Sequence, residues 1–219
     1  MTIAADIKRV TAELRERDPR WFVAKRLVLM RPITHWMHGI YLRSSGWTKG
    51  NFYLHPVATM LAYPARKRSL PMEGWNVSVP DGQDTSSWNL AWPKCGEVLA
   101  DVVLNKLLPK IEATKTPEGM SSYLNHASLA FPFTAARVEA FSCALAGRRA
   151  EALELARSIV VPGTLGWVDD KSRERCERLT RVLERGQEAT NDAFRRLERI
   201  SARNYGVEKW WQWEPLVDT

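Results

Sequence analysis

Near Pro93 the spacing of the apolar residues changes period, and that change decides the fold class. Before it, β-branched and aromatic residues run in short blocks broken by Pro, Gly and Ser; after it, apolar residues recur every three or four positions almost to the end. Strands followed by helices, without alternation between them, define an α+β chain. The expected order is an N-terminal helix, an antiparallel sheet of four to six strands, then a C-terminal helical half with a long last helix. We read residues 1–219 as a single α+β unit: 1–93 mainly strand-rich, 94–205 helical, and 206–219 an aromatic tail docked on the fold.

Ile7, Val10 and Leu14 place one apolar stripe on a helix over residues 4–17, which Asp18-Pro19 stops. Three strands follow: "WFVAKRLVLM" (21–30), "ITHWMHGIYLR" (33–43) and "NFYLHPV" (51–57). Their connections are too short for a crossover helix, so they pair antiparallel. Residues 58–74 are ambiguous, with Pro64 and Pro71 favouring an edge or a loop. "WNVSV" (75–79) and "SWNLAW" (87–92) read as a further hairpin around the turn-rich "PDGQDTS".

In the helical half, residues 96–113 form one helix with a kink or end at Pro109, and a shorter helix covers Glu118 to Ala130. Thr134 is placed to cap the next helix, and Gly147 suits its left-handed stop. The Ala-rich pair that follows resembles a single tetratricopeptide-type repeat in the placing of Ala144, Gly147, Ala152, Leu153 and Ala156, over about 27 residues. Such arrays need about three units to bury their faces, and no second copy is visible at that period. Residues 169–203 carry Cys176, Leu179, Leu183, Gly186, Thr190, Ala193, Leu197 and Ile200 at three-four spacing, a seam on one long helix that permits a dimer. "WWQWEP" (210–215) is too aromatic for a disordered tail and should dock back.

The N-terminus lacks an apolar run of signal-peptide length, and later apolar runs fall short of the roughly 20 residues that span a bilayer. We expect a cytoplasmic protein with no membrane association. Cys95, Cys143 and Cys176 are odd in number and far apart, which indicates neither a disulfide framework nor a cysteine zinc site. His35, His38 and His55 lie close in sequence, but in a strand His35 and His38 point to opposite faces and cannot clamp one ion. Alternation puts His35 with Met37, Gly39 and Tyr41, and His38 with Trp36, Ile40 and Leu42; the second face is the more apolar. We therefore expect neither a metal site nor a cofactor. Phosphate-loop, dinucleotide and nucleophile-elbow motifs are missing. A catalytic reading would need Cys95, activated at a helix start, to converge with His126, Glu97 or Asp101.

Charge is the remaining signal. The chain carries a net +7, yet from Lys110 onward it holds 17 basic and 16 acidic residues. The excess sits between Asp18 and Glu73, an interval without one acidic residue, where the chain's mean density would give about six. Arg20, Lys25, Arg26, Arg31, Arg43, Lys49, Arg66, Lys67 and Arg68 fall there, interleaved with aromatics that include Trp47 and Tyr53. These residues, Arg31 excepted, are the candidate binding set. The leading expectation is a non-enzymatic interaction protein that meets an acidic protein partner through this region. Nucleic acid bound by the same cations, with Trp47 and Tyr53 as stacking platforms, is the alternative, and an enzyme of unknown chemistry the third.

Overall fold

The computed structural model describes residues 4–63, 74–80, 87–126, 132–161 and 170–217. The chain divides into two compact units. One comprises Met1–Ile33, Met37–Thr59 and Leu70–Glu112; the other comprises Thr34–Trp36, Met60–Ser69 and Ala113–Thr219. The order is the α+β succession that the change of period implies: short N-terminal helices, five antiparallel strands, then helices.

The first unit opens with α1 (Ala4–Val10) and α2 (Ala12–Arg17). They break at Thr11, whose hydroxyl donates back to the Ile7 carbonyl at 2.7 Å, a local bond that competes with helix continuation. Ile7, Val10 and Leu14 are nonetheless all buried. The sheet runs β1 (Trp21–Ala24), β2 (Leu27–Met30), β3 (Trp36–Ser44), β4 (Asn51–Met60) and β5 (Trp88–Asn89), in sequential order. After it come α3 (Cys95–Val102), a π-helical turn at Val103–Leu107 and α4 (Leu108–Ala113). Pro109 accounts for the turn: it has no N–H for the Asn105 carbonyl, and the wider π spacing accommodates its ring within the helix.

One core joins these layers. Ile7, Leu14, Leu99, Val103 and Ile111 from the helices meet Val28, Ile40, Leu42, Phe52 and Trp88 from the sheet. The Phe52 and Trp88 rings stack at 6.2 Å, and Trp88 Nε1 donates to the Val77 carbonyl at 2.8 Å. Ile40 and Leu42 thus face this core, while Met37 and Tyr41 on the opposite face of β3 are buried too. Gly39 is required by a close approach: a Cβ there would lie 2.4 Å from the Val28 carbonyl oxygen across the β2–β3 ladder.

Two strand expectations change. Residues 21–30 are a hairpin rather than one strand, turning at Lys25-Arg26, with Ala24 paired to Leu27. Residues 75–79 and 87–92 do not pair with each other. Val77 bridges to Leu54, and β5 pairs with Asn51 and Phe52, so both segments use β4 as their template.

The second unit contains α5 (Pro117–His126), α6 (Pro132–Leu145), α7 (Arg149–Val160), α8 (Asp170–Glu184) and α9 (Gln187–Tyr205). The helix expected over Glu118 to Ala130 ends its described part at His126. Because α6 begins at Pro132, Thr134 lies inside its first turn and is not the cap; proline's fixed φ and missing N–H suit a first helical position. Helices α6 and α7 pack on each other, and Ala140 and Ala144 of the first and Ala152 and Ala156 of the second are all buried. Arg149 Nε donates to the Leu183 carbonyl at 2.8 Å, satisfying an end carbonyl of α8.

The continuous helix expected at 169–203 is two helices. Gly186 takes φ 103° with ψ near 180°, a region almost restricted to glycine, and the axis breaks there. The break resets the phase of burial. On α9 the buried residues are Thr190, Phe194, Glu198, Ser201 and Ala202, whereas Ile200 of the expected seam is 54% exposed. The seam offered for a dimer is therefore not one continuous face. After α9 a 3-10 turn (Glu208–Trp210) leads the tail back: Asn191 Oδ1 accepts from the Leu216 amide at 2.7 Å, and Gln187 Nε2 donates to the Leu216 carbonyl at 2.7 Å. No helix among the described residues is long and apolar enough to cross a membrane.

Candidate binding site at one end of the sheet

The meander brings the β1–β2 and β3–β4 turns to the same end of the sheet. Register fixes their proximity: Leu27 pairs with Tyr41, and the Leu42 amide reaches the Arg26 carbonyl at 3.5 Å. Lys25 and Arg26 in the first turn therefore lie beside Leu42 and its neighbour Arg43, while Lys49 sits in the second turn. All four side chains are exposed, and among the described residues none has a carboxylate partner. Lys25 is the one described non-glycine residue with positive φ, at 60°. Two-residue hairpin turns of this kind favour glycine at such a position.

Trp47 stands in the same second turn, 96% exposed. The loop that carries it is braced. Ser45 Oγ accepts from the Trp47 and Thr48 amides at 3.2 and 3.3 Å, and the Ser45 amide donates to the Asn51 carbonyl at 2.9 Å. Tyr53, further along β4, is half-buried, because alternation turns it to the face opposite Phe52.

The other expected members are elsewhere. Arg20 lies at the far end of β1, where its guanidinium is held by Asp18 at 2.8 Å and Glu112 at 3.4 Å. The hydrogen bonds from Arg20 pull the Asp18 carboxyl below its usual range. Arg31 neighbours it through the backbone and lies 4.9 Å over the Phe22 ring. Arg20 is therefore neutralised and spatially apart from the hairpin end. Arg66, Lys67 and Arg68 lie outside the described residues.

His35 lies outside the strand in which its parity with His38 was expected. His38 is buried in β3, and His55 Nδ1 lies 3.4 Å from the Gly74 carbonyl. His35, just before β3, belongs to the helical unit, where its Nδ1 is 2.8 Å from Glu198 Oε1. Trp211 Nε1 donates to the other Glu198 oxygen at 3.2 Å, and the Trp213 ring meets His35 edge-on at 5.4 Å. Burial pushes the Glu198 carboxyl up, against the pull of its hydrogen bonds from His35 and Trp211. Among the described residues no three His, Cys, Asp or Glu side chains gather as a metal would need.

Glu198 was missed by sequence reasoning, which leaves a glutamate between arginines on a helix to solvent by default. Once the helix is broken at Gly186, its place on the Thr190–Phe194 stripe becomes apparent from spacing alone.

Of the residues that a catalytic reading would need, Cys95, Glu97 and Asp101 belong to the sheet unit and His126 to the helical unit. Burial pushes the Cys95 thiol up to about 11, the reverse of activation at a helix start. Asp101 is held by Arg17 at 2.5 Å. Glu97 shares a cleft of about 460 Å³ with Cys95, Arg9, Glu13 and Glu16 in the sheet unit. His126 ends α5 in the helical unit, its Nδ1 3.2 Å from the Ser122 carbonyl. No protein-family model, curated protein or solved structure matches this chain.

Proposed function

We propose that the chain is a binding protein whose hairpin end docks an acidic protein surface, with Trp47 as the anchor and Lys25, Arg26, Arg43 and Lys49 as the field around it. The observation that supports this reading is the coincidence, on one braced end of the sheet, of four cations without carboxylate partners among the described residues and a tryptophan exposed almost to its full area. Tryptophan and arginine dominate interface hot spots, and unneutralised cations accelerate encounter with an acidic partner. A stacking groove for nucleic acid is less well supported, because Tyr53, its second platform, is half-buried.

The test places a photo-crosslinking amino acid at position 47 of the full chain and identifies adducts formed in extract of the source cells. Acidic proteins, recovered from this chain and lost from a Lys25→Glu, Arg26→Glu variant, are the expected result. With the partner purified, Trp47→Ala should weaken binding about 30-fold, as loss of a hot spot of about 2 kcal/mol does. Adducts only to nucleic acid, or adducts indifferent to the charge reversal, contradict the proposal.

A further inference from the structure

In the helical unit, α8, α9 and Phe141 of α6 enclose a cavity of about 400 Å³. Its lining is apolar at depth: Phe141 and Phe194 stack at 6.0 Å, and Leu179 and Leu197 stand beside them. Its mouth is cationic. Lys171, Arg175 and Arg178 line it together with one acid, Glu174, which is already paired with Arg178 one helical turn away. Lys171 and Arg175 have no carboxylate partner among the described residues. The Arg175 guanidinium carbon lies 5.9 Å from the centre of the Tyr63 ring, a contact that leaves its N–H donors available.

We infer that this cavity binds a small amphipathic anion, a single-chain alkyl carboxylate, with the chain on the Phe141–Phe194 floor and the carboxylate between Lys171 and Arg175. Volume and charge select this occupant together. About 400 Å³ falls within the range of small-molecule sites but is too small for a partner helix of roughly 10–12 Å diameter. A neutral lipid would leave the two cations unused, and an amine would be repelled by them. Planar guanidinium matches the two oxygens of a carboxylate.

Calorimetric titration of the full chain with decanoate, decanol and decylammonium, below their micelle concentrations, tests the assignment. Decanoate should bind one to one, decanol at least tenfold more weakly, and decylammonium not measurably. From hexanoate to decanoate each methylene should tighten binding about fourfold. Ala193→Phe, which fills the cavity from α9, should abolish binding. Lys171→Gln with Arg175→Gln should reduce decanoate affinity to that of decanol, with the circular dichroism of both variants unchanged. Equal binding of decanoate and decanol, failure of decanoate to bind, or binding that survives Ala193→Phe with the fold intact would each overturn the inference. It uses none of the hairpin-end residues, and none of these outcomes bears on that site.

Discussion

The arginines that tie elements together in the helical unit and the cations at the hairpin end of the sheet unit serve different ends. In the helical unit several arginines tie elements together: Arg148 to Glu118 at 2.5 Å, Arg157 of α7 to Glu184 of α8 at 2.7 Å, and Arg203 to Glu208 at 3.2 Å. Even the buried carboxylate there, Glu198, is fixed by a histidine and a tryptophan. In the sheet unit Arg17 and Arg20 do the same work near the helices, but the hairpin end keeps Lys25, Arg26, Arg43 and Lys49 without carboxylates among the described residues. Charge that closes pairs belongs to the fold. At the hairpin end, the charge that closes no pair is the charge we propose meets a partner.

The largest expected effect lies where the helical unit buries its charge. His35→Ala leaves Glu198 without its closest partner and should destabilise by about 3 kcal/mol in urea. All three thiols are pushed up by burial, Cys95 and Cys176 to about 11 and Cys143 to about 12, so thiol labelling during the titration reports each unit separately. Cys143 and Cys176 should become reactive at lower urea in the variant while Cys95 holds; equal movement of all three would show that the units open together. The pH response has a definite sign. Because the folded Glu198 carboxyl titrates above its ordinary value of 4.5, its contribution is fully present below that value and is lost as pH rises through the raised one. Glu198→Gln should therefore gain on the native chain as pH climbs from 4 upward, measured as a widening difference in melting midpoint.

A smaller effect is expected in the sheet. Gly39→Ala forces a methyl group to within 2.4 Å of a backbone oxygen on β2, and should cost about 2 kcal/mol with Cys95 exposed first. Smaller again, and opposite in sign, Lys25→Gly should stabilise by about 1 kcal/mol by relieving the positive φ while weakening partner binding. A stabilising change that spares binding would mean that Lys25 is no part of the interface.

The succession of helix, sheet and helices was legible because periodicity survives in a sequence without knowledge of contacts. The errors have local causes. Lys25 and Arg26 turn a hairpin with no Gly, Asn or Pro to announce it, since the paired strands impose the turn. Gly186 fits the three-four spacing, so its backbone freedom leaves no mark on the periodicity and two helices read as one. The cationic stretch was visible as composition, but its division was not. Only strand register shows that Lys25, Arg26, Arg43 and Lys49 share one end, and only the fold brings Glu112, 92 residues away, to Arg20.

Two multiple variants, each removing four positive charges, put the central claim to its most direct test by thermal melting. One carries Lys25→Gln, Arg26→Gln, Arg43→Gln and Lys49→Gln; the other carries Arg148→Gln, Arg157→Gln, Arg178→Gln and Arg203→Gln. The hairpin variant should melt at the native midpoint or slightly above it, and the helical variant clearly below. A hairpin variant that melts as low as its counterpart would make those cations part of the fold and leave no free field for a partner.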